Sequence, residues 1–206
     1  MTERLAAIAE LIGDAQWVID IGCEHGQLAP YLPDRRLIGV DRLPHVLDAA
    51  PAGMVGLAAD CLHALSPVPG AALVFAGIGE RSMIAWLDEH AAHMAVAQCL
   101  VLCPSAVPYR LRPALNERGW YCAREVLVNH AGRWQVVIRA ERGEEPEPDP
   151  DRRLLGPRMH AASPAQLVAY CEHQVATHGR VAQAPEPDPV VARWLAAAVR
   201  IVNEKR

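Results

Sequence analysis

Trp17-Val-Ile-Asp-Ile-Gly-Cys-Glu-His-Gly26 is a short apolar run that passes through an acid and ends in two glycines. That order describes a buried strand turning tightly into a helix N-terminus beside a ligand. Asp20 supplies a carboxylate at the strand end. Gly22 and Gly26 either let the backbone approach the ligand without an intervening Cβ or simply shape the turn. A second apolar strand, Leu37-Ile-Gly-Val-Asp41, also ends in an acid, at the distance where doubly wound folds place the residue that holds a ribose. The pair points to an adenosine-type cofactor.

The elements around this stretch alternate. Leu5, Ile8, Leu11 and Ile12 share one helical face over residues 3 to 12, and Gly13 stops that helix. Strand-like runs follow at 17 to 21, 37 to 41, 55 to 58, 72 to 77 and 99 to 103, separated by segments of helical period such as 81 to 92 and 107 to 118. Apolar strands alternating with helices predict a parallel sheet covered on both faces. After Gly119 the pattern changes to two extended runs, 120 to 127 and 133 to 140, joined by Asn129-His-Ala-Gly132. The predicted fold is therefore α/β and Rossmann-like, a mostly parallel seven-stranded sheet ending in an antiparallel hairpin. The first glycine motif, D-x-G-x-x-x-G, lacks the G-x-G-x-x-G of dinucleotide sites. It is similar to the motif that class I methyltransferases use for S-adenosyl-L-methionine (AdoMet), and their sheets end in the same antiparallel way.

With 206 residues and 51% hydrophobic content, the chain can bury one full core and carry an appendage. The expected division is a methyltransferase domain over 1 to 143, an acidic Pro-rich linker over 144 to 157 and a helical hairpin over 158 to 206. Ser163-Pro164 and Asp188-Pro189 supply helix starts, and Gly179 sits where the first of the two helices would stop. The hairpin buries its stripe, Val191, Trp194, Leu195, Ala198, Ile201 and Val202, within the pair or against the main domain, or offers it to a partner.

The formal charge of -4 argues against a strongly basic nucleic-acid binder. Its distribution is uneven, however, because residues 152 to 206 hold 8 basic and 4 acidic side chains. No apolar run spans a bilayer and no signal peptide is evident, so a cytoplasmic location is expected. Six cysteines without a C-x-x-C pair read as free buried thiols. His90 and His93 stand three apart on an expected helix, but no pattern around them completes a ligand set, and no metal is expected.

Several strings, in order, resemble the bacterial tRNA (adenine-22-N1)-methyltransferases. They are Asp20-Ile-Gly-Cys-Glu-His-Gly-Gln-Leu28, Ala76-Gly-Ile-Gly79, Leu102-Cys-Pro-Ser105 with Leu111-Arg-Pro-Ala-Leu115, Gly119-Trp with Glu125, and Gly156-Pro157. The resemblance implies methyl transfer from AdoMet to N1 of an adenine in tRNA. On this reading Asp20, Gly22, Cys23, Glu24 and Gly26 line the methionine part of the cofactor with Ala76 and Gly77. Asp41 and Arg42 face the ribose, and Asp60 with Cys61 faces the adenine, unless either acid is only a helix cap. His25, Gly77, Gly79 and Ser105 surround the reacting centre, His25 either shaping the cofactor site, approaching the base or serving a structural role. Glu80, Pro104, Arg110 and Arg112 face the substrate, the two arginines either touching phosphate or opening a solvated helix. Glu80 and Ser105 stand where the family has glycine and asparagine. Those departures leave open a small molecule or another RNA as acceptor, or a diverged fold that only binds cofactor or a partner.

Overall fold

The computed structural model describes residues 3 to 159, 163 to 178 and 188 to 204. Helix α1 (Glu3–Ile12) precedes strand β1 (Trp17–Ile21), which is followed by β2 (Arg36–Asp41), helix α2 (Pro44–Leu47) and β3 (Met54–Ala58). Next come β4 (Ala72–Ala76), α3 (Glu80–Glu89), α4 (Ala91–Val96), β5 (Cys99–Cys103) and α5 (Leu111–Glu117). The hairpin β6 (Trp120–His130) and β7 (Arg133–Arg142) leads to α6 (Pro150–Leu155), α7 (Pro164–His178) and α8 (Pro189–Glu204). One seven-stranded sheet runs in the order β3-β2-β1-β4-β5-β7-β6. Its first five strands pair in parallel, and β7 runs antiparallel between β5 and β6.

Both faces of the sheet are covered because side chains alternate along each strand. Ile19, Ile21, Leu73, Phe75, Leu100 and Leu102 turn to one face and pack with α3, α5 and the C-terminal helices. Val18, Ala72, Val74, Cys99, Val101 and Val137 turn to the other and meet the Leu5, Ile8, Leu11 and Ile12 stripe of α1. The Arg139 guanidinium locks α1 onto β7 by donating to the carbonyls of Leu11 and Ile12, each at 2.8 Å. The hairpin turn is a two-residue loop with Ala131 at φ 50° and Gly132 at φ 81°, closed by Gly132 N donating to Asn129 Oδ1 at 3.0 Å. Two left-handed residues match the right-handed twist of the flanking strands.

Three expectations differ from the structure. The helix expected to open at the first glycine motif is absent: residues 22 to 28 form turns, followed by a 3-10 turn at Ala29–Tyr31 with Pro30 in it. Proline there supplies no N–H to continue a helical ladder. The helical period at 81 to 92 is broken at His90 (φ -109°, ψ 36°), giving α3 and α4. The acidic segment expected as an extended linker contains α6, capped by Asp149 Oδ1 accepting from Asp151 N at 2.8 Å. Leu154 and Leu155 anchor it in the core.

The stripe of α8 is buried as a unit. Trp194 is fully buried, edge-on to Tyr109 (5.3 Å between ring centres) and to Tyr170 of α7 (5.9 Å), while Tyr170 also meets Trp134 of β7 (5.8 Å). Both helices therefore pack on each other and on the sheet, and the stripe is not offered to a partner. Asp188 caps α8 by accepting from Val190 N and Val191 N; Gly179 lies outside the described residues.

Candidate active site

The strand order reverses between β1 and β4, and at such a switch point the carboxyl ends of the strands diverge into a crevice. The backbone after β1 builds its floor. Gly22 takes a φ of 73°, and the N–H groups of Gly22 and Cys23 both donate to Val40 O, at 2.8 and 3.1 Å. Glu24 is also left-handed, at φ 52°, held by its N–H donating to Asp41 Oδ2 at 3.1 Å. The other Asp41 oxygen accepts from Leu43 N at 3.0 Å. Asp41 thus ties the two strand-end turns together from a partly exposed position on the cleft wall.

The cleft has two chambers that share Gly22, Asp41 and Ile78. The first, of about 300 Å³, is lined by Asp20, Cys23, Glu24, Ala76 and Gly77, with Arg4 and Gln27 added. The second, of about 320 Å³, is lined by Arg42, Asp60 and Cys61, with Ser82 and Trp86 of α3 added. A larger hollow of about 440 Å³ between α5, α6 and α8 is walled mostly by prolines, Leu154 and Val190 and holds no acid, so it lacks the groups for this chemistry.

Asp20 is the electrostatic anomaly of the first chamber. It is 5% exposed, and burial with the charges of Arg4 and Asp41, not a hydrogen bond from a described residue, sets its electrostatics. Burial pushes its pKa up to about 7; the charge of Arg4 pulls down and that of Asp41 pushes up, by less. Cys23 and Cys61 are the opposite of activated thiols, since burial drives both up to about 12. All six cysteines are free and buried.

A sequence model of the TrmK family, described as tRNA (adenine(22)-N(1))-methyltransferase, matches residues 56 to 197. The chain belongs to this family. No curated protein matches by sequence. Among solved structures, Streptococcus pneumoniae Sp1610 in complex with S-adenosyl-L-methionine superposes with a TM-score of 0.80 at 19% identity, over 98% of this chain and 99% of that one. M. capricolum TrmK in complex with S-adenosyl-homocysteine gives 0.74 at 14% identity, over 100% and 97%. The B. subtilis m1A22 tRNA methyltransferase TrmK gives 0.72 at 16% identity, over 98% of each chain. At these identities the likeness shows the fold, which includes the first glycine turn that the family match leaves out.

In this TrmK family member some anticipated residues lie elsewhere. Gly26 is absent from both cavity linings. Its φ is 67° and an added Cβ would sit 2.6 Å from Pro51 Cδ and 2.9 Å from Met54 Sδ, so it is glycine to let the turn pack on β3. His25 is exposed and also outside both linings. Gly79 caps α3, Pro104 is buried, and Ser105 is exposed with its N–H donating to Ile78 O at 3.0 Å. That bond, with Gly77 N donating to Cys103 O at 2.8 Å, holds the strand-end loops of β4 and β5 side by side.

Arg112 is corrected outright. It is 1% exposed and its Nε donates to Glu125 Oε1 at 2.8 Å, with Nη1 reaching Leu154 O. A guanidinium inside the core cannot meet a phosphate. Arg110 is partly exposed and spans Glu80 and Asp188, its own N–H also donating to Glu80 Oε2 at 2.9 Å. The carboxylate that replaces a family glycine is thereby neutralised within the fold. Arg4 was missed because one helical arginine carries no motif; its position four before Ile8 on the α1 stripe was the available signal.

Proposed function

We propose that this protein transfers the methyl group of AdoMet to N1 of an adenine in tRNA, in the cytoplasm. The supporting observation is a cleft with a buried carboxylate at one end to which no described residue donates a hydrogen bond, a partly exposed acid in the middle and an exposed one at the far end. A buried acid left without a hydrogen bond is costly unless a cation arrives, and the cofactor's ammonium is such a cation. Asp20 would hold that ammonium and Arg4 the adjoining carboxylate. Asp41 would accept from the ribose hydroxyls and Asp60 from the adenine amine, with Ile78 and Trp86 as apolar walls.

The bound cofactor supplies an electrophilic methyl on a sulfonium. Adenine N1 already carries a lone pair, so the protein's work is to position the base and exclude water rather than to remove a proton. Gly77 and Gly79 leave the acceptor approach open: an added Cβ at Gly79 would meet nothing within 4 Å, and at Gly77 only Arg4 at 3.7 Å. Ser105, held beside Ile78, supplies a hydroxyl for the base in place of the family's asparagine.

A hollow of about 270 Å³ next to the first chamber is lined by Glu3, Arg4, His130, Arg133 and Gln135. Since β6 runs parallel to β5, its turn lies at the same edge of the sheet as the cleft. Arg133 is exposed there and suits a tRNA phosphate near the target base. Incubation with unmodified tRNA and methyl-labelled AdoMet, followed by nucleoside mapping, tests the proposal. Label at N1 of an adenine is expected, and absence of label from every tRNA overturns it.

A further inference from the structure

A second chemical cluster lies just outside the cleft. His63 follows β3, Glu89 ends α3 and His90 is the break between α3 and α4. One ligand atom from each lies within 4.8 Å of the others. His90 is 5% exposed and its Nε2 is buried with no hydrogen-bond partner among the described residues. Its ring meets that of His63 edge-on at 4.7 Å.

The hydrogen bonds of His63 make the cluster more than an ion pair. Its Nδ1 lies 2.7 Å from Asp60 O, and a carbonyl only accepts, so Nδ1 carries a proton. Its Nε2 lies 3.0 Å from Glu89 Oε1, also an acceptor. Between an imidazole lone pair and a carboxylate there must be either a second proton or a metal cation. A carbonyl that orients one ring nitrogen while the other faces outward is the arrangement that supports metal-bound histidines. The neighbouring His90 ring favours the cation over the proton as organiser, because it brings a third ligand atom within 4.8 Å of the other two, which a proton shared by His63 and Glu89 does not use.

We propose that His63, Glu89 and His90 form a binding site for a Zn²⁺-type divalent ion, seated against the adenine end of the cleft. Two imidazoles and one carboxylate are a borderline donor set that suits Zn²⁺ over Mg²⁺ or Ca²⁺. Binding displaces the proton on His63 Nε2 into solvent and forms three coordinate bonds. Ligand atoms on a tetrahedral Zn²⁺ stand about 3.4 Å apart, so the cluster must contract slightly. The side chains of His63 and Glu89 are 54% and 47% exposed and free to rotate inward. His93, which its spacing would pair with His90, has its Nε2 2.8 Å from Leu65 O. The third ligand comes instead from a turn 27 positions before His90. Because Asp60 lines the cleft, a bound ion braces that wall.

The test is calorimetric titration of the full chain, stripped with chelator, with Zn²⁺ alone, alongside His63→Ala and Glu89→Gln. One Zn²⁺ per chain is expected, with each variant weaker by at least the roughly 10-fold that even an outer-shell change costs. Zn²⁺ should raise the Tm of the parent and not of the variants. Co²⁺ should give a visible band without a near-ultraviolet thiolate band, placing the ion on nitrogen and oxygen donors rather than cysteine. Circular dichroism checks that these exposed substitutions leave the fold intact. No stoichiometric binding, binding unchanged in both variants, or a thiolate band overturns the site and leaves a plain His63 to Glu89 ion pair.

Discussion

Asp20 makes the cofactor site respond to pH in a way that one substitution removes. Its folded pKa of about 7 means that half of the carboxyls are protonated near neutrality. Only the ionised form pairs with an ammonium. The fraction ionised rises from ~1% at pH 5 to ~50% at pH 7, so AdoMet affinity should rise by roughly 50-fold, or about 2.3 kcal/mol, over that interval. Above pH 8 it should fall again as the ligand's own α-amino group loses its proton. Asp20→Asn keeps the shape but not the charge. It should flatten the rise between pH 5 and 7 and weaken binding at pH 7 by about 1.5 to 3 kcal/mol, the range for a charge-assisted hydrogen bond.

The ligand-free protein should respond in the opposite sense. Because the folded pKa lies above the unfolded value, the native state binds more protons than the unfolded chain between about pH 4 and 7. The contribution of Asp20 to stability is therefore most favourable below pH 4 and is lost as pH rises toward 7, by on the order of 4 kcal/mol at most. Asp20→Asn should accordingly raise Tm at pH 7.5 while weakening AdoMet. Calorimetric titrations at pH 5, 6, 7 and 8 with parallel thermal melts measure both. A parent affinity flat from pH 5 to 7, or a variant that binds AdoMet as tightly as the parent, would refute this account of Asp20.

Truncating Arg112 to Ala leaves Glu125 charged and unpaired in the core and should cost about 3 to 5 kcal/mol in urea unfolding; a loss below 1 kcal/mol would contradict the buried pair. Ala131→Gly removes a Cβ from a left-handed turn position and should stabilise the fold by about 0.5 to 1 kcal/mol, unless Ala131 is not left-handed in solution, in which case Tm will fall. Arg133→Ala should weaken tRNA binding and lower the slope of log K against log salt by about 0.7 to 0.9. An unchanged slope would remove Arg133 from the phosphate-binding surface.

The later family strings are legible in the sequence, but their common purpose lies in the fold. Leu111-Arg112, Glu125 and Gly156-Pro157 are far apart in the chain and looked like separate marks, with Arg112 facing substrate. In the fold they meet. An added Cβ on Gly156 would lie 3.1 Å from Glu125 Oε2 and 3.2 Å from Arg112 Nη2, so the glycine, the acid and the arginine serve one buried ion pair. For Gly26 the turn-shaping alternative fits the fold, since the neighbours an added Cβ would meet are Pro51 and the β3 residue Met54.

What the sequence determined by itself was local and periodic. Two-residue and 3.6-residue alternation, strand-end acids, glycine turns and Pro-marked helix starts placed all seven strands and the C-terminal helices within a few residues. These signals act between neighbours in the chain, and the burial of the central strands β1, β4 and β5 on both faces leaves its mark in composition. The tertiary structure decided what depends on charge and distance across the chain. It set which arginine is solvent-facing and which is entombed, that Asp20 is buried within reach of the Arg4 charge, and that His63 reaches Glu89 and His90. Burial and ion pairing are properties of the assembled sheet and its covering helices, and one-dimensional spacing carries no record of them.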